Sequence, residues 1–106
     1  MKDLTKYQGI FPAFYACYGK DGGVDVQAVR GLAKYLLDKG VKGLYVGGSS
    51  GECIYQSVAE RKETLEAVMA EVGGKLTIIA HVACNNTADS RELAAHAESL
   101  GVDAIA

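Results

Sequence analysis

The sequence lacks tryptophan, has a single proline and carries no excess of charge of either sign, with a formal net charge of −2 over 106 residues. Nucleic-acid partners need a basic surface, so we expect none here. No uninterrupted apolar run approaches the roughly 20 residues that a membrane-spanning helix requires. We therefore expect no membrane segment, and the first residues contain no apolar stretch of the kind found in signal peptides.

Cysteine is also scarce, and its three positions follow no metal-binding or disulfide pattern. Cys17, Cys53 and Cys84 are an odd number without a C-x-x-C pair. This spacing predicts free thiols and a reducing, cytoplasmic environment. Structural zinc sites usually contain local cysteine pairs. We therefore predict packed, unreactive thiols and no metal site.

Short apolar runs alternate with segments of helical periodicity along the whole chain. Strands are predicted over 9–16, 41–47 and 76–82, with the beginning of a fourth over 102–106. The apolar faces of the three intervening helices are Val29, Ala33, Leu36 and Leu37; Leu65, Val68, Met69 and Val72; and Leu93, Ala94, Ala97 and Leu100. This alternation predicts a parallel α/β sheet with right-handed crossovers. Strand starts about every 30 to 35 residues are typical both of a doubly wound sheet and of a (β/α)8 barrel.

Start signals precede each predicted helix. Asp25 is a candidate N-cap, Ser57 and Glu60 have the spacing of a capping box, and Asn85-Asn86-Thr87 forms a turn and cap. Pro12 falls inside the first predicted strand. Because proline has no N–H, it indicates an edge position or a break in pairing there.

The loop after the second predicted strand, 47–52 (GGSSGE), is the strongest candidate for a binding site. Its glycines allow close backbone approach, and the hydroxyl and N–H groups of Ser49 and Ser50 suit a carboxylate or phosphate. The alternative is a tight turn that needs glycine only for its dihedral angles. Glu52 is expected to order this loop through backbone amides, with a general base as the alternative. His81 is expected to be half-buried and hydrogen-bonded, with catalysis as the alternative.

The sequence of this loop and of the segments around it resembles that of a known family. The stretches 43–52, 79–82, 86–90 and 101–105 are similar to the first part of the N-acetylneuraminate lyase and dihydrodipicolinate synthase family of pyruvate-dependent aldolases. The resemblance implies a parallel (β/α)8 TIM barrel. Residues 1–106 would form the N-terminal portion of its single domain, about the first three and a half βα units. Family members are usually homotetramers that form an imine between pyruvate and a lysine, without a cofactor.

The resemblance also implies roles for the loop. Ser49 takes the place of the hydroxyl that relays protons and contacts the pyruvate carboxylate, while Ser50 and Gly48 complete the carboxylate clamp. Gly48-Ser49 and His81 favour the sialic acid lyase branch, with dihydrodipicolinate synthase or another 2-keto-acid aldolase as the alternative. The family's imine-forming lysine and catalytic tyrosine belong to later strands. The 106 residues alone are therefore expected to be an inactive, carboxylate-binding part of a larger cytoplasmic enzyme.

Overall fold

Three helices and three strands alternate along the chain in the computed structural model, which describes residues 3–106. They are α1 (Val26–Asp38), β1 (Gly43–Val46), α2 (Val58–Val72), β2 (Thr77–Ala80), α3 (Thr87–Leu100) and β3 (Ala104–Ile105). Short 3-10 turns cover Thr5–Tyr7, Ser49–Gly51 and Cys53–Tyr55. No helix within 3–106 is long and apolar enough to cross a membrane.

The strands form one parallel sheet in the order β1-β2-β3. Gly43 of β1 lies opposite Thr77 of β2, and Ile79 of β2 lies opposite Ala104 of β3. Each strand is shorter than its predicted range, but the predicted parallel arrangement is confirmed. Because the strands run in parallel, their carboxyl ends meet at one edge of the sheet.

All three helices pack against one face of this sheet. The buried core includes Leu44, Val46, Ile78 and Ala80 of the strands and Val29, Ala33, Leu65, Val68, Val72 and Ala97 of the helices. Tyr45 and Ile79 alternate with these strand residues, lie on the opposite face and are half-buried. A doubly wound sheet carries helices on both faces, whereas a barrel carries them all outside. The single helical layer therefore favours the barrel.

The predicted buried strand over 9–16 is wrong as a continuous element. The segment runs parallel to β1, but its pairing reduces to one isolated bridge between Ala13 and Tyr45. Phe14 N–H donates to the Tyr45 carbonyl (2.9 Å), and Tyr45 N–H donates to the Pro12 carbonyl (3.0 Å). The next bond in this ladder would need an N–H from Pro12, which proline lacks. Burial is also partial, since Phe14 is buried whereas Ile10 and Tyr15 are exposed.

The predicted helix starts are confirmed. Asp25, Ser57 and Asn86 each accept a hydrogen bond from the backbone N–H three residues later, at 3.0, 3.1 and 2.8 Å. Glu60 completes the capping box by accepting from the Ser57 N–H at 2.9 Å. Gly101 ends α3 in the left-handed conformation, with φ of +81°. These boundaries set where each loop begins and ends at the carboxyl edge.

Candidate functional site

Glycine determines the shape of the loop that follows β1. Gly47 has φ of +83°, a left-handed conformation that turns the chain out of the strand. A Cβ on Gly48 would lie 2.7 Å from a ring carbon of Tyr45. A Cβ on Gly51 would lie 2.9 Å from the Phe14 carbonyl oxygen. Only glycine therefore fits this close approach without a shift of the neighbouring residues.

Ser49 and Ser50 lie at the start of the 3-10 turn, directly beyond the carboxyl end of β1, and both are exposed. The turn is closed from inside, because Gly51 N–H donates to the Gly48 carbonyl and Glu52 N–H to the Ser49 carbonyl, each at 3.0 Å. Within residues 3–106, neither serine's hydroxyl nor its backbone N–H has a hydrogen-bond partner. Four donors are thus free on one short turn, which is chemically suited to a carboxylate. Their binding of a ligand stays a prediction.

Glu52 contributes to the loop through its backbone and not, as predicted, through its side chain. Its carboxylate makes no hydrogen bond within the described part of the chain, so the predicted bonding to backbone amides is wrong. Its backbone instead adopts the left-handed conformation, with φ of 58°, and joins the two 3-10 turns. The Glu52 carbonyl accepts from Tyr55 N–H at 3.0 Å. A non-glycine residue in this conformation is uncommon, which marks the position as locally constrained.

His81 connects the loop to the end of the neighbouring strand. Its Nδ1 lies 3.0 Å from the Gly47 carbonyl oxygen, and the residue is half-buried. The expected half-buried, hydrogen-bonded histidine is therefore confirmed. Its ring lies 6.0 Å, centroid to centroid, from that of Tyr45 on the open face of the sheet.

Arg61 of α2 is a member of this site that the sequence reasoning missed. It is buried and donates to carbonyl groups that follow both β1 and β2. A signal was available, since Arg61 lies four residues before Leu65 and so falls on the predicted apolar face of its helix. A charged residue on such a face requires polar partners in the interior.

The cysteines do not converge on a metal site. All three are free and half-buried, and within residues 3–106 no group of three or more His, Cys, Asp or Glu side chains is arranged to hold a metal ion. Partial burial, together with the nearby Asp25 carboxylate, raises the pKa of the Cys17 thiol. That shift keeps the thiol protonated and less nucleophilic.

The lysines that precede β1 and β2 lie away from the 3-10 turn Ser49–Gly51, which is called the serine turn below. Lys42 and Lys75 line a cleft at the opposite, amino-terminal end of the strands. Lys62 on α2 is half-buried but pairs with Glu92 at 2.6 Å. Every other described lysine is exposed. None of the described lysines therefore lies in an apolar setting beside Ser49, where desolvation would favour imine chemistry.

A parallel sheet with all its helices in one layer is the arrangement of part of a (β/α)8 barrel. The chain matches the Dihydrodipicolinate synthetase family over residues 6–106 and belongs to that family. It is 67% identical over all 106 residues to the N-acetylneuraminate lyase of Mediterraneibacter gnavus.

Solved structures agree with the fold. The catalytic lysine mutant of Ruminococcus gnavus sialic acid aldolase superposes with a TM-score of 0.97 at 67% identity, over 99% of this chain and 34% of that one. The N-acetylneuraminate lyase of Fusobacterium nucleatum complexed with pyruvate gives a TM-score of 0.90 at 32% identity, over 96% and 35% of the two chains. The predicted barrel class is thereby confirmed.

The chain spans about a third of the length of these relatives; for the Mediterraneibacter gnavus lyase the share is 34%. The matched third contains the glycine-serine turn, the helix that carries Arg61 and the strand that leads to His81.

Proposed function

We propose that these residues form the N-terminal part of a single barrel domain in a pyruvate aldolase that cleaves N-acetylneuraminate to pyruvate and N-acetylmannosamine. The observation that carries the proposal is the 67% identity, extending over the whole chain, to a lyase of that name. We further propose that the enzyme works as a cytoplasmic homotetramer, as the family resemblance implies.

The pyruvate carboxylate binds at the turn after β1. Ser49 and Ser50 donate hydrogen bonds to it from their hydroxyl groups and free backbone N–H groups, and Gly48 completes the clamp by letting the turn pack closely against Tyr45. Uncharged hydrogen-bond donors that are already in position bind the carboxylate, so the carboxylate need not pair with a nearby amine. The amine then remains available for the reaction. The free state of these four donors supports this role.

The reaction itself requires a lysine from a later strand, as the family resemblance implies. Its amine adds to the keto carbon and water leaves, which forms an imine. The hydroxyl group on the carbon two positions from the imine carbon then loses its proton, and its oxygen becomes the carbonyl of N-acetylmannosamine, which leaves as the carbon–carbon bond breaks. The electron pair of that bond moves toward the imine and forms an enamine. Ser49 relays the proton, the enamine is protonated, and water releases pyruvate from the lysine.

The test uses the full-length protein, meaning this sequence continued to the length of its relatives. Pyruvate with borohydride is expected to leave a reduced covalent adduct on one lysine, detected by intact mass. N-acetylneuraminate is expected to yield pyruvate, measured with a coupled dehydrogenase. Absence of an adduct would overturn the aldolase proposal. An adduct without cleavage would instead indicate another 2-keto-acid aldolase.

A further inference from the structure

Arg61 is a buried cation that has no anionic partner in the described part of the chain. Its exposed fraction is 7%, and no carboxylate within residues 3–106 forms an ion pair with it. Arg30, in contrast, forms an ion pair with Glu71 near the surface. Because burial of an unpaired charge is costly, Arg61 must be stabilised by other polar groups.

These groups are the backbone carbonyls that follow two neighbouring strands. Arg61 Nη2 donates to the His81 carbonyl at 2.8 Å and to the Gly47 carbonyl at 3.4 Å. Arg61 Nη1 donates to the Ala83 carbonyl at 2.9 Å and contacts Cys84 Sγ at 3.1 Å. The planar guanidinium thus joins α2 to the carboxyl ends of both β1 and β2.

Gly47 is where these contacts affect the serine turn. Its carbonyl accepts from Arg61 and also lies 3.0 Å from Nδ1 of His81. Gly47 has the left-handed conformation and precedes Ser49 by two residues. Two polar contacts on one carbonyl fix the rotation of this peptide, and that rotation sets the direction in which the chain enters the turn.

We propose that Arg61 is a positioning residue for keto-acid binding: by holding the Gly47 carbonyl it fixes the turn in which Ser49 and Ser50 meet the carboxylate. The inference rests on the proposed function. Arg61 itself does not touch the substrate, since both of its Nη atoms are engaged with backbone carbonyls on the helix side of the loop. Loss of the guanidinium leaves the Gly47 carbonyl with the His81 contact alone, which loosens the turn and weakens keto-acid binding.

The test compares Arg61→Met and Arg61→Lys with Arg30→Met in the full-length protein. Lysine keeps the charge but is a point donor that cannot bridge three carbonyls. We expect both Arg61 variants to raise the pyruvate concentration that half-saturates borohydride trapping by about tenfold or more, with a smaller change in kcat. Arg30→Met, which removes a surface guanidinium, is expected to leave it unchanged.

The outcomes separate the two proposals. If the wild-type protein forms no adduct, the proposed function fails, and the role of Arg61 fails with it. If the wild type reacts and a folded Arg61 variant keeps wild-type half-saturation while only its melting temperature falls, Arg61 is merely structural and the inference is overturned. Should Arg61→Met fail to fold, the more conservative Arg61→Lys decides between these results.

Discussion

At the carboxyl edge of the sheet, some residues determine the backbone path of the loop and others supply the hydrogen-bond donors. Gly48 and Gly51 permit the close backbone approach, while Ser49 and Ser50 supply free donors on the exposed side of the turn. The two roles depend on each other. A bulkier residue at either glycine would displace the donors, even though it would remove no hydrogen bond.

The role proposed for Ser49 is tested by replacing its hydroxyl. In the full-length protein, Ser49→Ala is expected to lower kcat for N-acetylneuraminate cleavage by about a hundredfold or more, because the proton relay is lost. Steady-state pyruvate release measures this. Ser99→Ala is the matched control, since Ser99 lies in the last turn of α3 and its hydroxyl donates to the His96 carbonyl. A wild-type kcat for Ser49→Ala would contradict the relay.

Sequence reasoning identified the serine turn but not its support. Ser49 and Ser50 lie between glycines and follow an apolar run, and this local pattern can be recognised in the sequence. Arg61 acts through carbonyls at positions 47, 81 and 83, which only the packing of α2 on the sheet brings together. Backbone carbonyls are the same in every residue, so no sequence pattern marks them as partners.

At the scale of elements, β1 is packed closely from two sides. A Cβ on Gly43 would overlap the Thr77 carbonyl oxygen of β2 and lie against the Phe11 ring. The start of β1 therefore requires glycine for close approach of its neighbours. Gly31 lies on the exposed side of α1. Among the described residues, no atom other than its chain neighbours and the backbone of its own helix lies within 4 Å of the position its Cβ would take.

Replacement by alanine is expected to have opposite effects on stability at Gly43 and at Gly31. Gly43→Ala is expected to destabilise the full-length protein by about 1–3 kcal/mol, because the overlap forces the strands apart. Gly31→Ala is expected to stabilise it by about 0.5–1 kcal/mol, because alanine restricts the unfolded chain and favours the helix. Thermal unfolding of both variants measures the difference. A melting temperature for Gly43→Ala at or above that of Gly31→Ala would contradict the described packing.

At the scale of the whole molecule, the described residues leave apolar surface and sheet edges uncovered. Ile54 is 83% exposed and Tyr15 is 67% exposed. Within residues 3–106, no helix covers the half-buried face that carries Tyr45 and Ile79. The 10–14 segment and β3 each pair on one side only within residues 3–106. Unpaired strand edges favour association with other chains.

The 106-residue chain studied alone is therefore expected to self-associate and to elute in gel filtration well above its mass of 11.2 kDa. With pyruvate and borohydride it is expected to leave no adduct, because its described lysines lie away from the serine turn. The full-length protein is the control for both measurements. A soluble 11.2 kDa monomer would contradict the first expectation, and an adduct on the isolated chain would contradict the second.

The sequence by itself determined the order of the elements, the helix caps and the location of the serine turn. These features depend on contacts between residues close in the chain, such as the Ser57–Glu60 capping box. Only the tertiary structure decided that the 9–16 segment pairs at a single bridge, that the helices share one face, and that Arg61 holds the ends of two strands. Each of these depends on which distant backbone groups meet, and that is set by packing rather than by local pattern.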